Sequence, residues 1–360
     1  MAEKKDQYIK EENMRLTIKL RELVNQMPTF CETFFRGLEP TTSIRTRIAY
    51  AFDLRSFFHY LVEESFTISD NKSVKDLTLK DLDELSPVTI EKYLEYLSFY
   101  SLPNYKNPDE FITYTNSNTG KARKLSTLRT FYKYFYKKEM IKRNPALLVD
   151  IPKIREKPIV RLEVDEVAKL LDLVENPEEM TESQKKYHSI TKERDLAMIT
   201  LLLGTGIRVS EFVGLDVNHF DFNNNSFVIT RKGGNKVVLY FSDEVAKVLL
   251  NYLEVRKSIT PLPDHEDAMF LSLQRKRMGV SAVQKLIKKY TKIIAPLKNI
   301  SPHKLRSTFG TNLYRESGDI YLVADVLGHK DVNTTKKHYA EISDDQRRRA
   351  AKMIKLREEE

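Results

Sequence analysis

Apolar residues recur at three- and four-residue spacing along most of the chain, the period of an amphipathic helix. Leu16, Ile18, Leu20, Leu23 and Val24 form one stripe among charges, and residues 1–35 read as helix. Thr41, Thr42 and Ser43 are candidate caps for a second helix. In it Ile44, Ile48, Ala51, Phe58 and Leu61 keep helical spacing, while Arg45, Arg47 and Arg55 lie elsewhere around the turn. Residues 66–86 are polar and connecting. Ser86 and Pro87 open a third helix, which carries Ile90, Tyr93, Leu94 and Leu97. Residues 102–120 hold Pro, Asn, Ser and Gly and read as a loop. From Lys121 to Met140, Leu125, Leu128, Phe131, Tyr132 and Phe135 alternate with Arg123, Lys124, Arg129 and Lys133, a basic, aromatic helix.

Pro152 and Pro158 hold the following charged stretch extended, so it reads as a linker. A second helical domain begins at Arg161. Residues 174–192 are polar and read as an insert, and Arg194 to Leu203 is a buried helix ending at Gly204. Leu215 to Phe222 is a turn-rich connection. Only two runs have β character, Ser226–Arg231 and Val237–Phe241, and the Lys-Gly-Gly-Asn-Lys between them predicts a hairpin. The remainder is helical. The expectation is a mostly α fold with a small antiparallel β-sheet in the second domain. Its segments are 1–150, a linker at 151–160, 161–345, and a terminal piece at 346–360.

Charge narrows the partner. Of the 360 residues 31% are charged, with a net charge of +9, which points to an anionic partner without choosing between nucleic acid and a membrane surface. The excess is concentrated: between Lys121 and Arg161 there are 13 Lys or Arg against 3 Asp or Glu, a density suited to neutralising DNA phosphates. No apolar run approaches the roughly 20 residues of a membrane span. The first residues are too charged for a secretory signal. The single Cys31 cannot form an internal disulfide, which fits a reducing cytoplasm.

The candidate chemistry gathers late in the chain. Ser301 and Pro302 start a helix that places His303 and Arg306 three residues apart, on one face. Gly328 stops a later helix and leaves His329 on the following turn, and Tyr339 comes ten residues on. Arg offers a planar fork to phosphate oxygens, His exchanges protons near neutral pH, and Tyr can be a covalent nucleophile. His303, His329 and His338 lack the spacing of a zinc site, no carboxylate cluster suits Mg²⁺, and Gly204-Thr205-Gly206 is not a dinucleotide fingerprint. No metal or cofactor is expected.

His303-x-x-Arg306, Leu327-Gly328-His329 and Tyr339 resemble the signature of the tyrosine recombinase family, the phage integrases and Xer-like recombinases. Upstream, Thr205 to Glu211 resembles the family's first arginine motif and supplies Arg208. The predicted hairpin supplies Lys232. Each residue taken alone has a plain structural reading, a surface cation or a half-buried ring; six in the family's order do not. The gap from His329 to Tyr339 is one residue longer than in many Xer-like members, and Ser307 stands where a His is often seen.

The resemblance implies a two-domain DNA clamp, a helical, SAM-like core-binding domain followed by a mixed α/β catalytic domain. It implies that Tyr339 attacks a DNA phosphorus to give a 3′-phosphotyrosyl link. Arg208 and Arg306 would stabilise the charge on the non-bridging oxygens. His303 would relay a proton, His329 would bond a phosphate oxygen, and Lys232, with Lys236 as the alternative, would protonate the departing 5′-oxygen. Glu211 either orients Arg208 or is a plain surface carboxylate. In the first domain Arg45, Arg47, Lys121, Arg123, Lys124, Arg129 and Lys133 are the expected DNA contacts. The implied partners are double-stranded DNA bearing a specific site, a homo-tetramer joined through the terminal segment, and an accessory DNA translocase or directionality factor. A type IB topoisomerase-like enzyme and a catalytically silent DNA-binding protein are the alternatives.

Overall fold

The structure is a computed structural model; it describes residues 2–64, 72–154, 159–231, 234–329, 331–333 and 335, with side chains from residue 13 onward. It consists of two compact units, residues 1–156 and 157–360. Among the described residues no helix is long and apolar enough to cross a membrane.

The first unit contains α1 (Ala2–Val24), α2 (Phe30–Leu38), α3 (Ile44–Glu63), α4 (Leu79–Asp83), α5 (Pro87–Tyr96) and α6 (Asn118–Lys137). The single helix expected over 1–35 is two, because a turn at Asn25 and Gln26 ends the first and Pro28 follows. Ser43 caps α3 by accepting from the Thr46 amide, and Ser86 caps α5 by accepting from Thr89, with Pro87 in the first turn. Phe34, Phe57, Phe58, Phe131 and Phe135 are buried to 0% exposure and form an aromatic core shared by α2, α3 and α6. The Phe131 ring meets those of Phe34 and Phe135 edge-on, each at 5.0 Å between centroids.

The loop expected over 102–120 is a correction: it contains an antiparallel hairpin, β1 (Tyr100–Pro103) with β2 (Phe111–Tyr114). Pairing of Tyr100 with Tyr114 stacks their rings at 5.3 Å, and Ser101 bonds Thr113 across the ladder at 3.0 Å.

The second unit contains α7 (Val164–Glu175), α8 (Glu182–Thr205), α9 (Val209–Phe212), β3 (Phe220–Asp221), β4 (Ser226–Thr230), β5 (Lys236–Tyr240), α10 (Asp243–Lys257), α11 (Val280–Ile294), α12 (Pro302–Ser317) and α13 (Ile320–Leu327). The strands form one antiparallel sheet in sequence order, and β4 pairs with β5 from Ser226↔Tyr240 to Thr230↔Lys236, as the hairpin reading requires. Buried α8 is the axis, with α7, α10 and α12 packed around it.

The stretch 174–192, read as a polar insert, contains the start of α8 at Glu182. What fastens its largely exposed first half is polar. The Tyr290 hydroxyl donates to Asp195 Oδ2 at 2.8 Å and pairs with His188 Nδ1 at 3.0 Å, while Thr191 donates to the same carboxylate oxygen at 3.0 Å. Burial pushes the His188 imidazole below its ordinary pKa, and Lys289 adds to the shift. At its other end α8 stops at Gly206, which adopts φ +60° as a left-handed cap. A Cβ there would collide with the Phe309 ring and come within 3.0 Å of Leu327, so glycine is required for conformation and for space.

Candidate active site

The site is built around the C-terminal end of α13. Gly328 takes φ +63° and closes the helix, and the His329 amide then donates back to the Ala324 carbonyl at 2.9 Å. The last carbonyls of a helix carry partial negative charge and lack intrahelical donors. Here guanidiniums supply the donors.

Arg306 lies on α12 and is 4% exposed. Its Nη1 donates to the Gly206 carbonyl at 2.7 Å and its Nη2 to the Leu327 carbonyl. One side chain therefore ties the end of α8 to the end of α13. Arg208 lies two residues past Gly206. Its backbone amide donates to Glu211 Oε2 at 2.8 Å, its Nη1 to Glu211 Oε1 at 2.9 Å, and its Nη2 to the Gly328 carbonyl at 3.3 Å. Glu211 has a side chain only 4% exposed against 38% for Arg208. Of its two readings the orienting one holds: a buried carboxylate grips the arginine at both ends.

His329 is half-buried, and its Nδ1 shares a hydrogen bond of 2.7 Å with the Thr335 hydroxyl, itself wholly buried. A bond at one ring nitrogen fixes the orientation of the other. His303 is exposed in the first turn of α12, one turn ahead of Arg306. Arg208, Arg306 and His329 are thus brought together at adjoining peptide groups. Lys232 and Tyr339 lie outside the described residues, as does the terminal segment 346–360. Lys236 is exposed at the start of β5.

Two residues here were not singled out from the sequence. Arg231 bonds the Val326 carbonyl at 3.0 Å, and Thr335 holds His329. The only signal for either is position: Arg231 immediately precedes Lys232, and Thr335 follows His329 by six residues.

The basic face of the first unit divides. Lys133 and Arg45 are exposed, and Lys121 is half-exposed with its ammonium on Ser98 Oγ at 2.7 Å. Arg47 is half-buried and paired with Glu39 at 3.0 Å. Arg123 is 54% exposed but forked onto Asp53, with Nη2 to Oδ1 at 2.6 Å. Lys124 is a correction. It is buried, and its ammonium meets Asp53 Oδ1 at 3.2 Å and Ser56 Oγ at 3.1 Å, so it holds the fold together and does not face a partner. Burial pushes its pKa below the usual lysine range. Arg129 likewise turns inward, donating to the carbonyls of Ala146 at 3.0 Å and Val149 at 2.6 Å, which fastens the segment after α6. Among the described residues no group of three His, Cys, Asp or Glu could hold a metal ion.

Two arginines anchored on backbone, with a histidine fixed beside them, make a site for a tetrahedral oxyanion such as a phosphodiester. The model of the phage integrase family matches residues 160–346. The chain is 33% identical over 359 residues to tyrosine recombinase XerC of Caldanaerobacter subterraneus subsp. tengcongensis, covering 95% of this chain and 92% of that protein. It is 29% identical over 353 residues to tyrosine recombinase XerS of Streptococcus thermophilus, covering 91% and 96%. The fold is similar to that of XerH site-specific recombinase bound to palindromic difH substrate, with a TM-score of 0.65, 18% identity, and coverage of 95% of this chain and 89% of that one. It is also similar to the Tn1549 transposon integrase in complex with circular intermediate DNA, with a TM-score of 0.62, 17% identity, and coverage of 91% and 100%. The chain belongs to the phage integrase family.

Proposed function

We propose that this chain, a DNA strand-transferring tyrosine recombinase, cuts and rejoins double-stranded DNA at a specific site through a 3′-phosphotyrosyl intermediate. The observation that carries this is the meeting of Arg208, Arg306 and His329 at the end of α13. Cleavage adds negative charge at a five-coordinate phosphorus, and preorganised donors in a water-poor site stabilise it at no reorganisation cost. Arg208 and Arg306 supply those donors, and His329 bonds a phosphate oxygen. Tyr339 is the nucleophile. A phenol ionises near pH ~10, so it needs a base, and His303 relays the proton. Lys232, or Lys236 from the next strand, protonates the departing 5′-oxygen. The new P–O bond to Tyr339 replaces the broken one to the 5′-oxygen, so rejoining by a 5′-hydroxyl needs no nucleotide.

The biological reading is an Xer-like one. Strands are exchanged through a Holliday junction by a tetramer, with the segment 346–360 joining neighbouring subunits and an accessory DNA translocase or directionality factor setting the outcome. The Xer names of the relatives support chromosome dimer resolution over integration of a mobile element. The domain limits expected from the sequence, 1–150 for the clamp and 161–345 for catalysis, belong to the same reading. Arg45, Arg47, Lys121, Arg123 and Lys133 are its proposed DNA contacts in the first unit.

The test is a suicide substrate carrying a nick beside the scissile phosphate. The full chain is expected to accumulate a covalent protein–DNA adduct, and Tyr339→Phe to bind the same DNA without forming one. An adduct in Tyr339→Phe would remove Tyr339 as nucleophile. Relaxation of supercoiled DNA regardless of sequence would replace recombination with a topoisomerase activity.

A further inference from the structure

A third guanidinium reaches the same helix end. Arg231 follows β4, and its backbone is held on both sides: its amide donates to the Asn235 carbonyl at 2.8 Å, and its carbonyl accepts from Gly234 at 3.0 Å. From there its Nη2 donates to the carbonyls of Val326 at 3.0 Å and Asp325 at 3.4 Å. The guanidinium lies so close to the Gly328 α-carbon that a Cβ there would collide with it. Gly328 is therefore required for its left-handed φ and for this close approach. Arg231 Nε is buried without an acceptor, a cost that the carbonyl bonds must offset.

The three arginines divide the end of α13 between them. Arg231 takes Asp325 and Val326, Arg306 takes Leu327, and Arg208 takes Gly328. Arg208 and Arg306 come from segments that carry their own part of the site. Arg231 comes from the sheet, and its bonds join the β4–β5 turn to the turn that presents His329.

We propose that Arg231 is a positioning residue for DNA cleavage: it fixes the His329 turn against the β4–β5 hairpin, so that the two meet the scissile phosphate as one rigid body. This rests on the recombinase reading above only for its effect on cleavage, since the mechanical link exists without DNA.

The experiment therefore has two arms on the full chain. In the first, without DNA, hydrogen exchange is compared at the amides of residues 325–329 in the unsubstituted protein and Arg231→Ala. Loss of two charge-assisted bonds is expected to speed exchange there by about tenfold or more, while α8 and α12 are unchanged. In the second, single-turnover adduct formation on the nicked substrate is measured for Arg231→Ala, His329→Ala and the double variant. Arg231→Ala is expected to slow cleavage by about tenfold or more at unchanged DNA affinity, Arg231→Lys to recover part of the rate, and the double variant to be no slower than His329→Ala alone. Should Arg231→Ala not fold, Arg231→Lys takes its place in both arms. Unchanged exchange at 325–329, or slowing that adds independently to that of His329→Ala, overturns the proposal. Failure of the unsubstituted protein to form an adduct would instead sink the recombinase chemistry, and the exchange arm would still decide the link.

Discussion

Replacing Asp53 by Ala tests how the first unit holds its basic helix. Asp53 is 1% exposed and accepts from Arg123, Lys124 and the Thr127 hydroxyl, the last at 2.8 Å. Arg123 is 54% exposed and can turn to water, so its share is small, about 0–1 kcal/mol. Lys124 cannot, being 6% exposed. Removing one partner of a buried pair leaves an uncompensated charge, at about 3–5 kcal/mol. The lysine can escape by losing its proton, and that sets a ceiling. From a reference pKa of about 10.4, deprotonation at pH 7 costs roughly 4.6 kcal/mol, and at pH 9 roughly 1.9 kcal/mol. The sign follows from proton counting. The folded variant has a depressed Lys124 pKa, because burial lowers it and the raising effect of Asp53 is gone. Between that value and the unfolded one the unfolded chain binds more protons, so stability rises with pH. Calorimetry of the full chain should show Asp53→Ala losing about 3–5 kcal/mol at pH 7, and less than about half of that at pH 9. Adding Lys124→Met should restore most of the loss at both pH values. A loss under about 1 kcal/mol at pH 7, or one equal at the two pH values, would refute the reasoning.

Two further substitutions test the second unit. Glu211→Gln keeps the size of the side chain but removes the charge that grips Arg208, and should slow adduct formation on the nicked substrate by about tenfold with little change in melting temperature; wild-type rates would show that Glu211 does not orient Arg208. Gly206→Ala adds a left-handed strain of about 1–3 kcal/mol and a clash with Phe309, and it moves the carbonyl that holds Arg306, so thermal stability and cleavage should fall together; a variant that keeps both would mean the α8 cap is not a determinant of Arg306.

The parts of the fold legible in the sequence are those coded locally. Ser301 and Pro302 at the head of α12, Gly328 at the foot of α13, and Lys-Gly-Gly-Asn-Lys between two β-type runs each carry their geometry in a few adjacent residues. The parts that were not legible depend on distant partners. The β1–β2 hairpin is hidden because its Asn-Pro-Asp connection reads as open loop and β2 is largely exposed, without clean alternation. The first half of α8 is largely exposed and is fastened through the buried His188 and Thr191, whose partners Tyr290 and Asp195 lie on α11 and further along α8. Lys124 reads as one more surface cation because Asp53 is remote in sequence. For the site, residue types and order were visible, but nothing in the spacing reveals that Arg306 and Arg208 are held by backbone carbonyls or that Arg231 joins them.

That backbone anchoring has a consequence for how the site works. A guanidinium held by a carboxylate loses much of its charge to its partner, whereas one held by peptide carbonyls meets only partial charges and keeps most of its attraction for an anion. Arg306 is almost completely buried and donates to two of these carbonyls, those of Gly206 and Leu327. Arg208 faces Glu211 and is the more exposed of the two. The helix end thus offers a phosphate one buried arginine spanning two peptide carbonyls and one more accessible arginine paired with a carboxylate. Arg306→Lys should accordingly cost more cleavage than Arg208→Lys, because a single ammonium cannot span the Gly206 and Leu327 carbonyls and still present a donor to the phosphate. Single-turnover rates for the two variants on one nicked substrate decide it, and an equal loss in both would mean that the two-carbonyl span of Arg306 does not matter to cleavage.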